Sequence, residues 1–356
     1  MANIKLRDRD AIQTVEGLIF RVFGYSHPND AYICDAEYAS QNIFKSTDPR
    51  APRTAPNQTF YKFYNDEGMK LVSTQFQKYA IYHEMLRQKV VGVHLDDIYR
   101  VRKPEERLQE LIHAPPKDEL VEATLNVLKV VTGKSGLKAR NFGVFGSMLH
   151  NFHHPKYSDI DLTVYGKKEN KKIRKTLQAL YKEKNSHFHN EFESVKVMAG
   201  KQWRFKNFTV KDFVWHQRRK QIYGLYDDEA SGRTIKTEFE PVKAWDEIKS
   251  EYDPQTTIKR KGWVKLKARV KADDEAPFIP SIYGIEPLKV LDGPKEALEA
   301  KRIFSFMEEF RLQAEKDETV IVEGNLEEVA SPKSIFLQVT LTYCPRYYDQ
   351  VLKVIH

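Results

Sequence analysis

Cysteine is almost absent from this 356-residue chain, Cys34 and Cys344 being the only two. They stand far apart and without metal-ligand spacing, which excludes a zinc finger and fits a reducing cytoplasm. No apolar run reaches the roughly 18 residues that a membrane-spanning helix needs. The first ten residues, Met1 to Asp10, hold five charges and are too polar for a secretory signal peptide. With 41% hydrophobic and 30% charged residues, the chain reads as soluble and globular rather than disordered. Its length leaves room for two or three domains with proper cores. Abundant Lys, Glu and Arg beside so little Cys would suit a thermophile.

The net charge of +8 is unevenly spread. Residues 1–133 are neutral, residues 134–271 carry +15, and residues 272–356 carry −7. A basic stretch of that size attracts polyanions, although a solvated lysine-rich face is the plainer explanation.

Strand formers dominate residues 14–44, and residues 45–60, rich in Pro, Thr and Asn, read as a loop. A helix is expected within Thr74–Lys89, and helical spacing recurs over Pro104–His113 and Lys117–Thr132, closed by Gly133–Gly136. Strands are expected over 142–145, 160–165 and 232–242, with a strongly basic helix at Lys167–Lys184 and another inside Phe205–Tyr226. The last third alternates Val264, Leu266, Ala268 and Val270 with cations, the signature of a half-buried strand. Phe278–Ile285 reads as its partner, Pro294–Lys316 as a helix, and 319–324 with 335–341 as a closing strand pair. A strand–turn–strand unit recurs loosely near 15–38, 263–285 and 319–343, suggesting small β-barrel or sandwich modules. The expected domains are a β-rich module with helices (1–133), a central domain (134–250) and a β-rich α+β module (251–356).

The chemistry concentrates in two short runs. Phe142-Gly143-Val144-Phe145 is apolar and ends in Gly146-Ser147; eleven residues on comes Ser158-Asp159-Ile160-Asp161-Leu162. Period-2 alternation puts Asp159 and Asp161 on one strand face, with Ile160 and Leu162 turned into a core. Paired carboxylates repel unless a cation shares them, and Mg²⁺ is a hard, oxygen-seeking ion held by one or two carboxylates plus substrate phosphates. A Gly-Ser turn can present backbone N–H groups and a hydroxyl to phosphate. Metal-dependent nucleotidyl transfer needs these parts, together with a hydroxyl acceptor held in line with the α-phosphate.

These residues resemble the core motif of the DNA polymerase β-like nucleotidyltransferase superfamily, and the whole chain looks like an archaeal group of predicted nucleotidyltransferases. The resemblance implies an α+β fold whose central domain has a small mixed sheet, flanked by the β-rich modules. It implies that Gly146 and Ser147 contact the triphosphate and that Asp159 and Asp161 hold Mg²⁺. It also implies a third carboxylate from a later strand, matched by Glu238, with Glu240 on the same face as the alternative. After Gly-Ser, the bulky stretch Met148 to Pro155 replaces the small, glycine-containing one usual in the family.

His150, His153 and His154 lack a third ligand and read as ordinary loop histidines rather than a zinc site. Lys138, Arg140, Arg218, Arg219 and Lys220 could meet phosphate or an RNA backbone, or be plain surface charges. Trp203, Phe205, Phe208, Phe213 and Trp215 suit base stacking or core packing, and core is the preferred reading. The expected function is therefore Mg²⁺-dependent transfer of a nucleoside monophosphate from an NTP to a hydroxyl, with RNA the expected acceptor and no membrane partner. A non-catalytic RNA-binding protein that keeps the fold, and a protein AMP-transferase, are the alternatives.

Overall fold

The computed structural model describes residues 5–55 and 58–355. The first four residues of the charged N-terminal stretch, and Pro56 and Asn57 of the expected loop, lie outside them. The fold is mixed α/β and divides into two compact units. One comprises Met1–His83, Gln88–His189 and Gly224–Glu251; the other comprises Glu84–Arg87, Asn190–Tyr223 and Tyr252–His356.

The first unit begins with a sheet of β1 (Ala11–Gln13), β2 (Leu18–Val22), β3 (Ala31–Ser40), β4 (Pro52–Ala55), β5 (Gln58–Lys62), β6 (Ala80–His83), β7 (Gln88–His94) and β8 (Arg100–Arg102). Two sequence expectations fail here. The expected loop, 45–60, contains β4 and the first part of β5, an antiparallel pair in which Thr54 lies opposite Thr59. The expected helix at 74–89 is mostly the hairpin β6–β7; helix α1 (Glu67–Gln75) ends where it was to begin. In both places pairing of the hairpin with β3, a non-local term, overrides local composition.

A second sheet, of order β11-β12-β13-β10-β9, carries the Asp-x-Asp and Gly-Ser runs. It is built from β9 (Phe142–Val144), β10 (Ile160–Tyr165), β11 (Phe188–Asn190), β12 (Tyr223–Asp228) and β13 (Arg233–Val242). Helices α2 (Pro104–His113), α3 (Glu119–Ser135), the short α4 (Gly146–Leu149) and α5 (Lys167–Leu180) accompany it. Asp118 caps α3 through the Val121 N–H, and Gly136, at φ 70°, ends it where the sequence placed the stop. Gly143 is required by packing: a Cβ there would come within 2.6 Å of the Pro104 carbonyl carbon and of Thr163 Oγ1. Phe142, Val144, Ile160, Leu162 and Val164 of the sheet are fully buried with Val127 and Val131 of α3.

The second unit contains α6 (Val210–Lys220) and β14 (Thr257–Glu275), β15 (Ser281–Asp292), β16 (Ala300–Ser305), β17 (Thr319–Ser331), β18 (Ser334–Leu341) and β19 (Val351–Val354). Strands β14-β15-β16-β18-β17 follow one another and β17 pairs back to β14, closing a five-stranded barrel in which β16 and β18 run parallel. Five strands in this Greek-key order are the arrangement of the OB barrel. The helix expected over 294–316 is a 3₁₀ turn, Lys295–Glu299, followed by strand β16. Ile303, Phe306, Met307 and Phe310 match helical spacing, but antiparallel pairing to β15 and parallel pairing to β18 claim the backbone of 300–305. Phe205 and Phe208 are buried with the barrel core, as the core reading of those aromatics expected, and Trp203 and Phe213 pack against it; Trp215 is 39% exposed.

Candidate active site

The Gly-Ser turn and the acidic run meet because β9 and β10 are antiparallel neighbours, with Val144 opposite Leu162. Phe145 N–H donates to the Asp161 carbonyl (3.0 Å), pinning the turn to the strand. Gly146 has φ 61°, and a Cβ on it would overlap Asp161 Oδ2, so the turn can pass this close only with glycine. Ser147 Oγ reaches Ser158 Oγ at 3.4 Å, and Ser158 Oγ accepts from His154 N–H at 2.9 Å. The serine of the turn thus faces the residue that precedes Asp159.

Strand β10 begins at Ile160, so Asp159 stands just before it and remains exposed, while Asp161 lies within it. Parallel pairing of β10 with β13 sets Asp161 directly beside Glu238 and Thr163 beside Glu240. Asp161 keeps some exposure as a residue, yet its carboxyl group is packed round by protein. That desolvation, then Glu238, then Asp159, hold its pKa well above the usual carboxylate range. Desolvation also raises Asp159, opposed by the positive fields of Lys236, Arg233 and Lys62. Glu238 pairs with Lys236 at 2.7 Å. Among the described residues no three His, Cys, Asp or Glu side chains converge tightly enough to hold a metal ion. The donor chemistry nevertheless suits a hard cation: carboxylate oxygens on and beside neighbouring strands, one of them held toward its neutral form by burial and then by the other two.

Glu240 is otherwise engaged. It is buried and receives Arg9 Nη2 at 2.8 Å, while Arg9 also lies 5.4 Å from the Phe145 ring centroid. Arg9 belongs to Arg7-Asp8-Arg9-Asp10, four consecutive charged residues that are all buried. Arg7 bridges Glu105 (3.1 Å), donates to the Lys243 carbonyl and stacks on Tyr165 at 3.7 Å. Asp8 accepts from Gly24 N–H. This run ties the N-terminal sheet to the strands bearing the acids.

The three histidines take structural places. His150 is buried between Tyr38 and Phe152, where desolvation holds its pKa down at about 3. His153 meets Asp118 at 3.0 Å, and His154 packs on Tyr157. Lys220 is fully buried and donates to the Glu309 carbonyl, and Arg219 pairs with Glu318 at 2.6 Å, so these two serve the second unit's own structure. Sequence reasoning passed over Lys236 and Lys62. Lys236 could have been found from its place two residues before Glu238 on one strand face; Lys62 lies about a hundred residues upstream, at the end of a strand whose first residues read as loop, and nothing local marks it.

Residues 129–221 match the family model described as "Nucleotidyltransferase domain". The chain is also 29% identical over 332 residues to an uncharacterized protein of Methanocaldococcus jannaschii, the match covering 92% of each. No solved structure matches it significantly. Residues 129–221 of this chain are therefore similar to the nucleotidyltransferase domain family, a match that supports the polymerase β-like resemblance.

Proposed function

We propose that this protein transfers a nucleoside monophosphate from an NTP to a hydroxyl group in a Mg²⁺-dependent reaction, with RNA as the acceptor. The observation that carries this reading is Asp161, set beside Glu238 by strand register, influenced by Asp159, and touched by the Gly146 turn. Gly146 and Ser147 would take the triphosphate. Asp159, Asp161 and Glu238 would hold Mg²⁺, with Glu238 released from Lys236. When bound, the ion supplies charge neutralisation at the attacking and leaving oxygens. The chain's own part is positioning. Gly146 leaves the space at the turn open, the sheet fixes the acids, and withdrawal of Asp161 from water strengthens every electrostatic contact it makes.

RNA is favoured as acceptor by the +15 carried by residues 134–271. The second unit adds a surface suited to bases: on β16, Arg302 stacks on Phe304 (4.6 Å) and on Phe336 of β18 (5.0 Å). Aromatic and guanidinium planes on the strands of such a barrel are stacking platforms for single strands. Incubating the protein with Mg²⁺, each labelled NTP and total RNA or protein tests the reading. Label on RNA supports it; label on protein alone would favour AMP transfer to a protein hydroxyl. RNA binding without any transfer, unchanged in Asp159→Ala, would indicate a binder that kept only the fold.

A further inference from the structure

The N-terminal sheet reaches the candidate site through one apolar contact surface. Phe60 of β5 stacks on Phe152 (centroids 4.8 Å apart, 29° between planes). Tyr38 of β3 meets His150 and Phe152 edge-on at 5.4 and 5.6 Å. Ala11, Ile19, Tyr38, Phe60, Leu149 and Phe152 are buried as one cluster, which holds the sheet against the turn that begins at Gly146. Lys62 is the register partner of Tyr38 and stands two residues from Phe60, so its side chain shares the face that makes this contact.

Lys62 is half-buried, and its positive field reaches both Asp159 and Asp161. Two other cations act on Asp159, and both are engaged: Lys236 with Glu238, and Arg233 with the carbonyls of Pro155 and Ser158. Among the described residues, no carboxylate lies within ion-pairing distance of the Lys62 ammonium. A half-buried ammonium without an ion pair, held beside acids too far away to pair with it, is placed for an anion that arrives with the substrate.

We propose that Lys62, delivered by the N-terminal sheet, binds the β- and γ-phosphates of the NTP at this site; this rests on the nucleotidyltransferase reading above. In the transfer, the acceptor hydroxyl releases its proton to solvent and its oxygen forms a bond to the α-phosphorus while the bond to the oxygen bridging to the β-phosphate breaks. The electron pair leaves with pyrophosphate, and Lys62 donates to that growing charge. The N-terminal sheet is then a wall of the catalytic site and not only an attached module.

The test is titration calorimetry of the full-length chain with each of the four NTPs plus Mg²⁺, and with tripolyphosphate plus Mg²⁺. Lys62→Gln and Lys62→Met are compared with Lys62→Arg and with the exposed-site control Lys89→Gln. Loss of one charge-assisted hydrogen bond should weaken both NTP and tripolyphosphate by about tenfold or more. Lys62→Arg should recover most of that loss, Lys89→Gln should bind normally, and all variants should melt near the parent temperature. An NTP affinity in Lys62→Gln and Lys62→Met equal to the parent's would overturn the inference and leave the site reading intact. Failure of the parent chain to bind any NTP would overturn both.

Discussion

Asp161 concentrates the tension in this molecule. An acid whose folded pKa is raised favours its protonated form, so its contribution to stability is present below the unfolded pKa and is lost as pH rises through the folded one. At neutral pH without metal, its ionisation therefore costs stability. Asp161→Asn should abolish transfer while leaving the metal-free protein at least as heat-stable as the parent at pH 7–8, which differential scanning calorimetry in EDTA can check. A melting point clearly below the parent's would show that the carboxylate is structural. The neighbouring acids divide in the opposite way. Glu238→Gln should lose transfer, whereas Glu240→Gln should keep it, because Glu240 is bound to Arg9. Removing Arg9 instead takes a buried cationic partner from Glu240, and Arg9→Ala should lower unfolding free energy in urea by about 3–5 kcal/mol. The double variant Arg9→Ala, Glu240→Gln should recover part of it.

At the level of elements, the turn between β9 and α4 matters more than the helix it starts. Gly146→Ala puts a methyl group into Asp161 Oδ2 and forces a left-handed residue, itself costing about 1–2 kcal/mol. NTP binding should fall far more than stability does, and parallel calorimetry and urea melts will separate the two. The elements legible in the sequence were those whose pattern is local. The run 142–145, the Gly-Ser turn, the alternating run from 160 and the caps of α3 all announce themselves within a few residues. Those misread depend on partners distant in sequence. β16 takes its form from β15 and β18, and the β4–β5 and β6–β7 hairpins are anchored on β3 through β5 and β7. In the sequence, the preference for Glu238 over Glu240 comes from the family resemblance alone. Glu238 and Glu240 share a strand face, and the parallel register with β10 and the Arg9 pair, 231 residues away, tell them apart.

Across the whole molecule, the +15 of residues 134–271 is divided between the units, +4 in the first (134–189 and 224–251) and +11 in the second (190–223 and 252–271). The exposed lysines of α5, Lys168, Lys171, Lys172 and Lys175, add to a basic surface on the same unit as the acids. Binding that depends on such charges releases counterions, so RNA affinity should drop at least about tenfold between 50 and 200 mM salt. Filter binding across a salt series measures the slope, and a flat line would remove the electrostatic argument for RNA. Among the described residues no helix is long and apolar enough to cross a membrane. The buried Arg7–Asp10 run also shows how the first unit is made continuous: its arginines reach Glu105, Lys243 and Glu240, all on elements near the acidic strands.

The central claim, that Asp159 and Asp161 serve nucleotidyl transfer at the Gly146-Ser147 turn, meets its most direct test in one assay. Parent protein and Asp159→Ala are incubated with Mg²⁺, α-labelled NTP and total RNA, and label is counted in the acid-insoluble RNA. We predict incorporation by the parent that disappears in the variant and in EDTA; incorporation that persists undiminished in Asp159→Ala would contradict the account.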